Sequence, residues 1–178
     1  MYGDNLMKSN IIPGKKVPFL QLDTIEGLVW STDDHLNKKN SMIIFYRGLH
    51  CPVCSVFLKQ VDNQLLDYKK SNTEVIAISM DNKDKAMKAK SSWLIDNLNI
   101  AYGLKEENAR EWGLYISKSI KEAESDIFCE PGLFIIKNDG TLYLANTSNM
   151  PWARPDVSDL PAKLIFAQEN KYPVRGNH

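Results

Sequence analysis

A continuous apolar run, Met42-Ile43-Ile44-Phe45-Tyr46, stops at Arg47-Gly48 and is followed almost at once by Cys51-Pro52-Val53-Cys54. A run of strand length without polar alternation suits a strand buried on both faces, which requires layers above and below it. Beyond Cys51, the residues Val53, Val56, Phe57, Val61, Leu65, Leu66 and Tyr68 recur at spacings of three and four and predict a helix. Pro52 stands where a first helical residue belongs, because its missing N–H would be unpaired there anyway. The segment therefore reads as a buried strand, a short loop, and a helix that begins beside a cysteine.

The rest of the chain extends this pattern. Residues 74–80 (EVIAISM) form a second buried strand rich in β-branched side chains, and Asp81 opens a helix over 81–97, with Asp84 as a weak capping partner. A short strand over 99–104 and a short helix over 107–112, ending at Gly113, come next. Residues 133–136 and 141–145 are strands joined by Asn138-Asp139-Gly140, a hairpin signal because Asp-Gly tolerates positive φ. A final helix over 155–170 buries Leu160, Leu164, Ile165 and Phe166, with Pro161 in or near its first turn. Near the start, 17–22 and 27–30 read as two short strands, with Glu26-Gly27 as their turn, and 33–40 as a helical turn. The order is α/β at the front and antiparallel at the back: a central mixed sheet flanked by helices in three layers. With 178 residues and no linker or repeat, a flexible lead-in over 1–16 and one domain over 17–176 are expected.

Lys plus Arg equals Asp plus Glu at 22 each, which gives no electrostatic case for nucleic acid or an anionic membrane. No apolar stretch is long enough to span a bilayer, and MYGDNLMKSNIIPGKK lacks the apolar core of a signal peptide, so a cytoplasmic location is expected. Three cysteines do not make a disulfide framework, and in a reducing compartment a close pair reads as catalytic or metal-binding. Cys51 and Cys54 are three apart, on one face of a first helical turn, and can close a small disulfide. Thiolate is the reactive form, and the free N–H groups of a helix start stabilise it. Arg47 and His50 supply positive or polarisable neighbours. Two other readings stand beside redox chemistry. The cysteines could be small core residues, or half of a zinc or iron–sulfur site, although the second ligand pair is missing and no metal is expected.

Phe45-Tyr46-Arg47-Gly48-Leu49-His50-Cys51-Pro52-Val53-Cys54 resembles the peroxiredoxin-like branch of the alkyl hydroperoxide reductase and thiol-specific antioxidant superfamily. Met150-Pro151-Trp152-Ala153-Arg154-Pro155 and Tyr172-Pro173-Val174-Arg175-Gly176 add to the likeness, which runs from about Val17 to Gly176. The resemblance implies a thioredoxin-like fold with an N-terminal β-hairpin extension and thiol-dependent reduction of peroxides or disulfides. No bound cofactor is expected, because two sulfurs can carry the electrons. A thioredoxin- or glutathione-type reductant and a second copy of the chain, as a homodimer, are the expected partners.

The chain departs from the family pattern in ways that touch the site. Cys51 stands in the place of a threonine, Cys54 in that of the peroxidatic cysteine, and Arg47 in that of a proline. Thioredoxins instead use the first cysteine of the pair, here Cys51, as nucleophile. Cys51 is taken as the attacking sulfur and Cys54 as the resolving one, although the peroxiredoxin alignment argues the reverse. Pro131 occupies a position where many peroxiredoxins carry an arginine and thioredoxins a cis-proline facing the cysteines. A cis Glu130–Pro131 bond packed against the cysteine loop is expected, and Arg47 or Arg154 would replace the missing guanidinium. Thioredoxins bury an aspartate where this chain has Phe45, which leaves His50 as the candidate base. Cys129 is either a further resolving thiol or, the favoured reading, inert because buried. The rival to an enzyme is a thioredoxin-fold binding module that presents the groove beside Pro131.

Overall fold

The computed structural model describes residues 11–34, 36 and 38–177. Its first elements are β1 (Gln21–Asp23), β2 (Val29–Ser31), β3 (Asn40–Phe45), α1 (Pro52–Asn63) and α2 (Leu65–Lys70). Then come β4 (Thr73–Ile78), α3 (Lys83–Ser92), β5 (Asn99–Ala101), α4 (Glu106–Glu111), β6 (Ile116–Lys118) and β7 (Ile127–Cys129). The chain closes with β8 (Gly132–Ile136), β9 (Leu142–Thr147) and α5 (Leu160–Glu169). Residues 1–10 of the expected lead-in lie outside the described residues, whereas 11–16 lie along β9: Gly14 N donates to Leu142 O and Lys16 bridges to Thr141. The turn expected over 33–40 falls partly on residues 35 and 37, also outside them.

A five-stranded sheet in the order β5-β4-β3-β8-β9 is the centre of the fold. β3 runs parallel to β4 and β4 to β5, while β3–β8 and β8–β9 are antiparallel. The period of two in β3 splits its side chains between two cores. Met42, Ile44 and Tyr46 pack with Cys54, Phe57, Leu58 and Val61 of the first helix and with Leu160 and Leu164 of the last. Ile43 and Phe45 pack on the other face with Trp112, Phe134 and Cys129. Here Phe45 meets Trp112 and Phe134 at ring separations of 5.5 and 5.7 Å. β1 and β2 pair antiparallel as the expected N-terminal hairpin, and Leu20 and Trp30 bring it onto this second core.

Several boundaries differ from the sequence reading. The long helix splits at Gln64, whose backbone (φ −104°, ψ 5°) ends α1 and starts α2. Cys54, Phe57, Leu58, Val61 and Tyr68 are buried, whereas Val53, Val56 and Leu66 face outward. α3 begins at Lys83, not Asp81, because the Asn82 side chain caps the Lys85 amide, and it ends at Ser92. β6 and β7, a small antiparallel ladder, were not read from the sequence. α5 buries Leu160, Pro161 and Leu164, but Phe166 is exposed.

Asp62 on α1 fastens the first helix to the entry of β5. Its carboxylate accepts the amides of Asp96, Asn97 and Leu98 at 3.1, 2.9 and 2.8 Å.

Candidate active site

The segment from Tyr46 to Cys54 is held from both ends. Tyr46 N donates to Ile78 O, which carries the β3–β4 pairing one residue past the strand. Gly48 then turns the chain at φ +127°, and Cys51 N closes the turn on Gly48 O at 3.1 Å. Cys51 is the N-cap of α1, with φ −100° and ψ 101°, and Pro52 follows at the first helical position. The Cys51 Sγ accepts the Cys54 backbone N–H at 3.2 Å, as an N-cap oxygen would. The expected placement of Cys51 at a helix start and of Cys54 within the first turn is therefore what the fold produces.

The two sulfurs are electrically unequal. The Cys51 thiol is lowered to about 6, chiefly by a hydrogen bond from the Cys54 thiol, against the opposing effect of burial. The Cys54 amide, Arg154 and Arg47 lower it further. The Cys54 thiol is pushed well up by burial and then by the neighbouring Cys51. These opposite shifts favour the thiolate on Cys51 and the proton on Cys54.

Arg154 comes from the segment after β9 and reaches the pair directly. Its Nη2 donates to Cys54 Sγ at 3.0 Å and its Nη1 to Pro151 O at 2.6 Å, and the guanidinium lies 5.0 Å from the centre of the Phe57 ring. Arg47 is turned away into a second cluster. It pairs with Glu130 at 3.2 Å and Glu124 at 3.5 Å and lies over Phe128 at 4.6 Å, so it acts on Cys51 only through space. His50 packs on the same Phe128 ring at 4.7 Å. Burial and the charge of Arg47 hold His50 below its ordinary pKa, and its buried Nε2 has no hydrogen-bond partner. Among the described residues no hydrogen bond joins His50 to either sulfur.

The Glu130–Pro131 bond is trans, since no described peptide bond is cis, and that expectation is corrected. Glu130 N donates to Tyr115 O and Pro131 O accepts Ser148 N, so both sides of the bond are tied to neighbouring segments in the trans form, the usual one for X–Pro. Pro131 lines a recess with Phe57, Asn146, Arg154 and Pro155 and so stands beside the arginine. Cys129 is fully buried in the core on the opposite face of the sheet, and its thiol donates to Tyr46 O at 3.5 Å. Burial, then the charge of Glu130, pushes that thiol to about 12. Among the described residues no three His, Cys, Asp or Glu side chains converge in a way that could hold a metal ion.

The sequence reading missed Asp81, whose buried carboxylate accepts the Leu49 amide at 2.7 Å. It also missed Ser125, Glu124, Phe128 and Glu130, which surround the turn from the β6–β7 side. The available signal was the position of Asp81, just past the carboxyl end of a parallel strand, where sites of α/β sheets collect.

Comparison with solved structures finds this architecture in peroxiredoxins. The peroxidoxin BcpB of Mycobacterium tuberculosis superposes with a TM-score of 0.71 at 13% identity, over 92% of this chain and 100% of that one. A peroxiredoxin-like protein of Aquifex aeolicus gives 0.69 at 18% identity, over 85% of each chain. The reduced 2-Cys peroxiredoxin of Plasmodium vivax gives 0.74 at 16% identity, over 90% of this chain and 84% of that one. Comparison with curated protein sequences gives no match. The model of the AhpC/TSA family matches residues 13–145, the greater part of the chain, including both cysteines of the pair. With the thioredoxin-like sheet, the N-terminal hairpin and a thiol pair at the start of α1, the chain belongs to the AhpC/TSA family of thiol-dependent oxidoreductases.

Proposed function

We propose that the chain reduces peroxides through a Cys51–Cys54 dithiol–disulfide cycle, with Cys51 as the attacking sulfur. The observation that carries this reading is Cys51 at the N-cap, its Sγ accepting the Cys54 amide at 3.2 Å and its thiol lowered to about 6. The Cys51 thiolate displaces the alcohol or water from the peroxide O–O bond and becomes a sulfenic acid. Cys54 then attacks that sulfur, and hydroxide leaves as water. In sum, one thiolate, one thiol, one peroxide and one solvent proton give a disulfide, an alcohol (or water) and a water. A thioredoxin- or glutathione-type thiol returns the two electrons, which a disulfide substrate would accept from the same pair. A reducing cytoplasm suits this cycle; no described helix is long and apolar enough to cross a membrane. A homodimer is proposed as the assembly, with the outward Val53 and Val56 of α1 as candidates for its contact.

The contact of Arg154 with Cys54 favours a second reading, in which Cys54 attacks, as the peroxiredoxin alignment has it. Peroxide consumption by Cys51→Ser and Cys54→Ser variants separates the two. Cys54→Ser should complete one turnover, stopping at a sulfenic acid, and Cys51→Ser none. The opposite pattern assigns the attack to Cys54, and full turnover by both variants removes the pair from the reaction.

A further inference from the structure

We propose that Asp81 is a positioning residue of this site, its carboxylate fixing the turn that delivers Cys51 to the start of α1. The inference rests on the reading of Cys51 as the attacking sulfur.

Asp81 lies just past β4, and its backbone is fixed there: its N–H donates to Ser79 Oγ at 3.3 Å, and its carbonyl accepts Gly103 N at 2.8 Å. The side chain, in a residue only 3% exposed, reaches across to the redox turn. Oδ2 accepts the Leu49 amide at 2.7 Å, a short charge-assisted bond to the middle of the 48–51 turn. Oδ1 accepts the Ser125 hydroxyl at 3.3 Å, and Lys85 Nζ meets that hydroxyl at 2.9 Å. The carboxylate is thus tied to the β6–β7 loop through Ser125, which Lys85 of α3 supports in turn, while it holds the turn.

Gly48 shows how closely the two are fitted. A Cβ at that position would lie 2.7 and 2.9 Å from the Asp81 oxygens, and its φ of +127° disfavours any side chain. The turn can therefore seat on the carboxylate only with glycine there. Closing on Gly48 O through the Cys51 amide, it sets the extended backbone of Cys51, which aims the sulfur at the Cys54 N–H.

A positioning role and a bare charge make opposite forecasts. Loss of a nearby negative charge by itself lowers a thiol pKa, whereas loss of the N-cap geometry raises it. The other charges around the turn (Arg47, Glu124, Glu130, Lys85 and Arg154) stay in place in every variant. The test is iodoacetamide alkylation of the full chain at graded pH with peptide mapping, for the parent, Asp81→Ala, Asp81→Asn and Gly48→Ala. Asp81→Ala should move the Cys51 midpoint upward and slow alkylation below it by about three- to tenfold, the size of a lost helix cap. Asp81→Asn keeps an acceptor for Leu49 and should return most of the rate. Gly48→Ala strains the turn through its own φ as well as through the carboxylate, so it shows only what loss of the turn does to Cys51. If Asp81→Ala does not fold, Asp81→Asn decides, its midpoint staying near the parent's for a positioning role and falling for a bare charge. A midpoint in Asp81→Ala that is unchanged or falls, or a midpoint in Asp81→Asn that falls below the parent's, overturns the inference. Modification of Cys54 before Cys51 in the parent protein overturns instead the reading on which it rests.

Discussion

Cys51 and Cys54 are both buried, but burial pushes the Cys54 thiol up, whereas the Cys51 sulfur accepts the amide of the first turn and is lowered. A pKa lowered to about 6 means that the thiolate is present above that pH and is lost as pH falls through it. Reactivity toward iodoacetamide should therefore be half-maximal near pH 6 and flat at neutral pH. Histidine ordinarily titrates in the same range, so the inflection needs an owner. His50 is pushed down by burial and by Arg47, and it rests on Phe128 without a bond to sulfur. In His50→Asn the inflection near 6 should persist, and its disappearance would return the base role to His50. The placing of both cysteines at a helix start could be read from Cys51-Pro52-Val53-Cys54 alone. Asp81 could not, because its partner Leu49 is 32 residues away and the contact exists only once β3 and β4 are paired.

At the level of elements, β3, β4, β8, β9 and the Asn138-Asp139-Gly140 turn were legible because continuous apolar runs and an Asp-Gly pair are local signals. Gly140 duly takes φ +80°. The buried side of α1 was less legible. Its apolar positions exceed what its core contact can cover, so Val53 and Val56 remain outside while Cys54 and Leu58 go in. β6 and β7 escaped notice because each is three residues long and the segment between them is polar. Asp62 ties α1 to β5 through three amides, and burial, which would raise its pKa, is outweighed by those bonds, so it ends below the ordinary value. Its stabilising contribution is present above the pKa of an unfolded aspartate and is lost as pH falls through the lowered folded value. Asp62→Asn offers one acceptor oxygen where the carboxylate offered two. It should cost about 1–3 kcal/mol at neutral pH by denaturant unfolding, with the difference shrinking in acid. A cost that is independent of pH would show that the carboxylate charge is not what binds the amides.

Across the whole molecule, the sheet separates two sets of chemistry. Cys51, Cys54 and the approaching Arg154 lie with the helical core on one face, and Cys129 lies with the aromatic core on the other. The layered α/β class followed from the sequence because one doubly buried strand demands two covering layers. The meeting of Arg154 with Cys54, 100 residues apart, depends on how the segment after β9 returns over α1, and no local pattern encodes that. The same separation decides which disulfide can form. One equivalent of hydrogen peroxide, followed by alkylation, denaturation and peptide mapping by mass spectrometry, tests this most directly. The account predicts a bond between Cys51 and Cys54 within one chain, with Cys129 recovered as a thiol that alkylates only after unfolding. A bond to Cys129, a bond between chains, or three unreacted thiols would contradict it.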